Sequence, residues 1–208
     1  MILIVVLLVP LYFALLAAGA SEAAAAFWTP AVAAVPLAWL TWRRAHSAAT
    51  PAPPPMSRGR LASRTLALAL LSWLVSSVVA GVVGGFVPPP ADDPAHSVAM
   101  SLRYSTLIGL PIVLELLFRL GHRSARWLPA RRPLRWLAVV SVVPALISIA
   151  LHPVAVAFSS ANGSTPTRDL SDILPRAVVV TVLYFCALAL GNLQARSRLS
   201  DQGPLGSA

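Results

Sequence analysis

Long apolar segments follow one another along almost the whole chain, and they restrict its fold more than any other feature. A helix needs about 20 mostly apolar residues to cross the hydrocarbon core of a bilayer. The sequence offers six such segments, at residues 2–20, 25–42, 65–87, 104–121, 136–158 and 173–191. Charged residues make up only 11% of the chain, against about 25% in a soluble domain. The pattern predicts an all-α, polytopic transmembrane bundle of about six helices, forming a single domain over residues 1–208.

The arginines predict the orientation of these helices. All 16 basic residues are arginine, which is typical of a GC-rich bacterial genome. Thirteen of them lie between the second and third segments, at or between the fourth and fifth, or after the sixth. Only Arg103, Arg168 and Arg176 lie on the other side. Because arginine-rich loops stay in the cytoplasm, we expect both termini to be cytoplasmic in a multi-pass protein of the bacterial cytoplasmic (inner) membrane.

The formal charge of +9 does not indicate nucleic acid, because the arginines follow the loops and not one surface. The segment from His122 to Trp136 mixes arginine with tryptophan and leucine, a composition that favours the headgroup layer. We therefore expect it to lie on the anionic inner leaflet. Docking of a membrane protein partner is the alternative interpretation. No motif indicates a cofactor, and Cys186, the only cysteine, excludes an intrachain disulfide.

Two segments near the N-terminus allow a more specific description. Residues 45–60 contain Pro51, Pro53, Pro54 and Pro55 and predict a flexible, extended cytoplasmic loop. The first apolar segment ends in Ala18-Gly19-Ala20, which resembles a signal-peptidase site. Because no basic residues precede the apolar run, an uncleaved helix is the preferred interpretation.

Ionisable residues within the apolar segments are the candidates for function. Glu115 precedes Arg119 by four residues, so the two side chains share one helix face. Either they form a structural ion pair, or the arginine holds a functional carboxylate. His152 lies in the fifth segment and is either an interhelical hydrogen-bonding residue or a catalytic one. Asn192, which closes the sixth segment, is a helix cap, an interfacial residue or a supporting residue of a site.

The stretch from Pro111 to Arg119, Pro-Ile-Val-Leu-Glu-Leu-Leu-Phe-Arg, resembles the first motif of the CAAX protease and bacteriocin-processing family of intramembrane proteins. That motif has two adjacent glutamates, three further residues and an arginine. Residues 136–152 are similar to the family's next helix, which ends in Phe-x-x-x-His. The resemblance implies that Glu115 and His152 activate water, with Arg119 and Asn192 in support. Other family members are implied to be non-proteolytic membrane partners.

The chain departs from the family pattern at three positions. Leu114 replaces the first glutamate, Ser148 replaces the phenylalanine, and Leu188 replaces the histidine of a third motif that would end at Asn192. These departures imply a member that has lost proteolysis. By helical rise, Glu115 lies roughly 9 Å and His152 roughly 24 Å from the cytoplasmic surface, so sharing a site requires a tilted or kinked fifth helix.

Three functional hypotheses follow. The first is a non-enzymatic membrane component: an accessory subunit, an immunity-type protein or the substrate-binding subunit of a transporter. The second is an intramembrane metalloprotease, or its inactive relative, that uses Glu115 and His152. The third is a proton-coupled carrier in which Glu115 titrates. The lost family residues and the short loops favour the first hypothesis, and no resident metal is expected.

Overall fold

The computed structural model describes residues 2–47, 63, 64, 67, 103–125, 128, 133–143, 145, 146, 150 and 170–201. Within these ranges lie the helices α1 (Ile2–Ala17), α2 (Glu22–Ser47), α3 (Leu110–Ser124), α4 (Pro133–Val143) and α5 (Leu170–Asp201). A π-helix, Ser105–Gly109, leads directly into α3. No β-strand occurs in the described part of the chain, and there the predicted all-α class is confirmed.

In the described part of the chain, two helices are long and apolar enough to cross a membrane. The apolar parts are Glu22–His46 of α2, with 25 residues, and Ile173–Arg198 of α5, with 26 residues. At a rise of 1.5 Å per residue each is nearly 40 Å long, more than the roughly 30 Å of a hydrocarbon core. The six spans and their orientation stay predictions. Most of the predicted third span, 65–87, and most of the Pro-rich loop, 45–60, lie outside the described residues.

A tight turn reverses the chain between α1 and α2. Gly19 has a φ of +87°, a left-handed conformation that glycine adopts without a steric penalty. The amide of Gly19 donates to the carbonyl of Leu16, and the amide of Ala20 donates to that of Leu15, each at 3.0 Å. This pair of bonds is the Schellman termination of a helix. Ser21 then caps α2, because its hydroxyl accepts the amide of Ala24 at 3.3 Å.

Helix α2 continues beyond the predicted span, which ended at residue 42, as far as Ser47. Interactions between neighbouring turns stabilise this extension. The Arg43 guanidinium lies 5.4 Å from the ring centroid of Trp39. The rings of Trp42 and His46 are 4.6 Å apart, and His46 Nδ1 lies 2.8 Å from the Trp42 carbonyl. Contacts between aromatic and basic side chains thus stabilise the last turns of α2, which lie beyond the apolar segment.

Prolines inside the helices change their hydrogen bonding. Pro30 has no amide hydrogen and cannot bond the carbonyl of Ala26, and the Thr106 hydroxyl of the π-helix donates to that carbonyl at 3.3 Å. Pro111 lies one residue after the start of α3. The wider π-helical turn immediately before it is one of the local adjustments by which apolar helices accommodate proline.

The core forms mainly where α3 crosses α5. Gly121 of α3 lies directly against the Leu188 backbone, and Gly191 of α5 lies against the Phe118 backbone, so neither position has room for a Cβ atom. The absence of side chains lets the two backbones approach closely, as in other small-residue helix crossings. One apolar cluster surrounds this crossing and also includes residues of α1, α2 and α4: Leu8, Ala33, Leu37, Val113, Leu114, Leu117, Leu137, Val140, Leu183 and Ala187.

Candidate functional site

Glu115 and Arg119 form an ion pair on the outer face of α3. The Arg119 Nε atom donates to Glu115 Oε1 at 2.8 Å, and the two side chains are 70% and 37% exposed, respectively. The opposite face of α3 carries its buried residues, and Leu114 is completely buried there. Leu114, which stands where the family motif has its first glutamate, therefore points into the core, and Glu115 points away from the core.

The predicted partner of Glu115, His152, lies outside the described residues, as does Ser148. The proposed pairing of Glu115 and His152 therefore stays a prediction. Within the described part of the chain, no group of three or more histidine, cysteine, aspartate or glutamate side chains is placed to hold a metal ion.

Asn192 lies inside α5 and does not cap it, because the helix continues to Asp201. Its side chain is fully buried. The Asn192 Nδ2 atom donates to Ser124 Oγ at 3.0 Å, and Ser124 Oγ donates to the carbonyl of Gly121 at 2.6 Å. In this way Asn192 joins α5 to the last turn of α3, next to the glycine crossing.

A buried arginine extends this chain of hydrogen bonds. Arg196 is 1% exposed, and its Nε donates to Asn192 Oδ1 at 2.9 Å. Its Nη2 donates to the carbonyl of Leu128 at 3.2 Å. Its Nη1 is buried and has no hydrogen-bond partner among the described residues. We call Ser124, Leu128, Asn192 and Arg196 the Arg196 cluster.

Sequence reasoning found only Asn192 among the members of this cluster. It assigned Arg196 to the cytoplasmic arginines that determine topology, and it gave Ser124 no role. The spacing of Asn192 and Arg196, four residues apart on one helix face, is the signal that could have indicated the pair.

A second polar cluster joins α1, α2 and the start of the π-helical region. Glu22 Oε1 accepts a hydrogen bond from Arg103 Nη1 at 3.5 Å. The Arg103 guanidinium also lies 5.9 Å from the ring centroid of Tyr12. Two atoms here, Tyr12 Oη and Glu22 Oε2, are buried without a hydrogen-bond partner among the described residues. We call Tyr12, Glu22 and Arg103 the Glu22 cluster.

The unpartnered Tyr12 hydroxyl gives a direct prediction. We expect Tyr12→Phe to leave the stability of the detergent-solubilised protein unchanged or to raise it by about 1 kcal/mol, because a buried hydroxyl without a partner is destabilising. Thr106→Val removes a hydroxyl that does have an acceptor, and should cost about 1 kcal/mol. Unfolding by sodium dodecyl sulfate in mixed micelles measures both. A loss of stability in Tyr12→Phe as large as that in Thr106→Val would show that the hydroxyl of Tyr12 has a partner.

The two clusters lie far apart along one helical segment. Arg103 and Ser124 are 21 residues apart on a continuous helical stretch that contains the π-helix and α3. Their 21-residue separation corresponds to about 30 Å, which is close to the thickness of a hydrocarbon core.

Comparison with models of known protein families, with curated proteins and with solved structures gave no match.

Proposed function

We propose that this protein is a multi-pass component of the bacterial cytoplasmic membrane that acts without catalysing a reaction, as an accessory, immunity-type or substrate-binding subunit. The observation that carries the proposal is the direction of Glu115. An intramembrane hydrolase or a proton-coupled carrier would need this carboxylate inside the bundle, whereas it lies on the outer face of α3 and is paired with Arg119.

The exposed surface of α2 supports the membrane location. Large apolar side chains lie on one side of this helix and are 46–70% exposed: Trp28, Val32, Val35, Trp39 and Trp42. An apolar face of this length is unusual on a soluble protein and suits contact with lipid. Trp39 and Trp42 lie beside Arg43 and Arg44, a combination typical of the membrane–water interface.

The polar groups that do face inward mainly connect helices or close backbone hydrogen bonds. Thr29 and Thr41 each donate to the carbonyl four residues earlier in α2, at 2.7 and 2.8 Å. Asn192 and Ser124 connect α5 to α3. Such bonds satisfy polar groups that lipid cannot satisfy, and they supply no group poised to activate water.

Among the three non-catalytic roles, the Glu22 cluster favours the substrate-binding subunit. Its buried oxygen atoms, on Tyr12 and Glu22, have no hydrogen-bond partner among the described residues and lie beside an ion pair whose side chains are about one-third exposed. A small polar molecule could supply the missing hydrogen bonds from that exposed side. By the predicted topology this cluster lies at the outer surface of the membrane, where a substrate for import arrives.

The membrane topology can be tested with single cysteines. Cys186 is the only cysteine and is buried, so Cys186→Ala provides a cysteine-free background. We expect Ser21→Cys to react with a membrane-impermeant maleimide on intact cells, and Ser197→Cys to react only after the membrane is opened. Equal labelling of both in intact cells, or recovery of the chain in the soluble fraction, would contradict the proposal.

The role of Glu115 gives a further prediction. We expect Glu115→Gln to lower the free energy of unfolding by less than about 1 kcal/mol, because Arg119 is 70% exposed and its long side chain can reach the membrane surface without a carboxylate partner. We also expect no change in peptide cleavage or in proton uptake by proteoliposomes. The matched variant Leu114→Ala, at the buried neighbouring position, should cost about 2 kcal/mol or more. A cleavage or transport activity that Glu115→Gln abolishes while the protein stays folded would overturn the non-catalytic proposal.

A further inference from the structure

We propose that the Arg196 cluster is a binding site for a phosphate group, in which Arg196 donates hydrogen bonds to a phosphate oxygen at the cytoplasmic end of α3 and α5. The inference rests on the membrane location proposed above. It assigns a ligand chemistry to residues that the proposed function does not otherwise use.

The first argument is the unsatisfied hydrogen-bonding capacity of Arg196. A guanidinium has five N–H donors in a fixed plane and stays charged in proteins. Nε and Nη2 each have an acceptor, and Nη1 is buried with no acceptor in the part of the chain that the structure describes. Leaving a charged donor buried and unpaired is more costly than leaving a neutral one. The arrangement is stabilised if an acceptor reaches Nη1.

The second argument is charge. No described carboxylate lies within ion-pair distance of Arg196. The sequence from residue 116 to residue 135 contains six arginines and no acidic residue. Arg123 and Arg198, on α3 and α5, are exposed. The counterion for this region is therefore best supplied from outside the chain, by an anion.

The third argument is geometry. The Nη1 and Nη2 atoms of a guanidinium can form two parallel hydrogen bonds to a phosphate group. Among the described residues, Nη2 is held by the Leu128 carbonyl alone, at 3.2 Å. A phosphate that displaced this carbonyl would accept one hydrogen bond from Nη2 and a second from Nη1. Asn192, which accepts from Nε, would keep the plane of the guanidinium fixed.

The position of the cluster identifies the two sources of phosphate. It lies about 30 Å along the helical segment from Arg103, at the end where the arginine-rich loops place the inner leaflet. Anionic phospholipid headgroups are concentrated there and attract basic residues. Free inorganic phosphate in the cytoplasm has the same chemistry.

The test is lipid retention by the purified full-length protein, measured by native mass spectrometry after equilibration with equal amounts of phosphatidylglycerol and phosphatidylcholine. We expect preferential retention of phosphatidylglycerol, and a roughly tenfold or greater loss of that preference in Arg196→Gln, from the loss of a charge-assisted contact. Arg198→Gln, which removes an exposed arginine two residues away on the same helix, is expected to keep it.

A second variant keeps the test valid if Arg196→Gln fails to fold. Asn192→Asp is nearly isosteric and gives Arg196 a carboxylate partner within the chain, so it should reduce phosphatidylglycerol retention without removing the arginine. If inorganic phosphate displaces the lipid from the unmodified protein and stabilises it against thermal unfolding, phosphate recognition is supported and the soluble anion is its source.

The proposal is overturned if the unmodified protein retains both lipids equally and inorganic phosphate has no effect, or if Arg198→Gln reduces the preference as much as Arg196→Gln. These outcomes are distinguishable from a failure of the proposed function. If the proposed function fails, the cysteine-labelling experiment shows that the chain does not span the membrane.

Discussion

Replacing Asn192 with leucine is expected to lower the free energy of unfolding by about 3 kcal/mol, the upper end of the range for a hydrogen bond to a charged group, because the buried Arg196 charge loses its acceptor. In the native protein Asn192 accepts from Arg196 Nε and donates to Ser124. Leucine has a similar volume but can do neither. Arg196, whose positive charge is almost completely buried, would then keep one acceptor among the described residues, the Leu128 carbonyl.

Denaturation in mixed micelles with increasing sodium dodecyl sulfate measures this effect. Gln194→Leu is the matched control, because it introduces the same side chain two residues away at a half-buried position outside the Arg196 cluster. A loss in Asn192→Leu that is no larger than the loss in Gln194→Leu would show that Arg196 is stabilised by other groups.

Substitution of Gly191 by valine is expected to separate α3 from α5 and to cost more than about 3 kcal/mol, at or above the upper end of the usual cost of overpacking. A Cβ atom at this position would collide with the backbone of Phe118 and His122. Backbone atoms inside a helix cannot move aside as the end of a flexible side chain can. The whole helix must shift, and the shift would also disturb the neighbouring hydrogen bond between Asn192 and Ser124.

Ala38→Val is a suitable control, because it also introduces valine into a long apolar helix but at an exposed position. Size-exclusion chromatography of the detergent-solubilised protein, followed by unfolding in mixed micelles, compares the two variants. If Gly191→Val were as stable as Ala38→Val, the backbones of α3 and α5 would not lie in close contact at this glycine.

Sequence reasoning located the apolar helices because their length and hydropathy depend only on local composition. The predicted segments 2–20, 25–42 and 173–191 overlap α1, α2 and α5 closely. Their ends were less predictable. Helix α2 continues through interactions of Trp42 with His46, and α5 continues because Asn192 and Arg196 bond to the end of α3 and to Leu128. Such contacts depend on side chains and on other helices, which hydropathy does not record.

The rotation of α5 about its axis was also beyond the sequence. Apolar residues surround most of α5, so no stripe shows which side faces the protein. Glu115 and Leu114 are adjacent in the sequence, yet one is paired at the outer face and the other is buried. Arg196 was interpreted as one of many cytoplasmic arginines, because charge counting treats exposed and buried arginines alike.

The contact between Thr106 and the carbonyl of Ala26 has a consequence for sequence divergence. The carbonyl is free to accept from another helix because residue 30 is proline. In a homologue with alanine at position 30, the restored amide would donate to this carbonyl, and a hydroxyl at position 106 would be a second donor to an acceptor that already has a partner. The two positions, which are 76 residues apart and lie on different helices, should therefore change together during evolution, although their side chains form no hydrogen bond with each other.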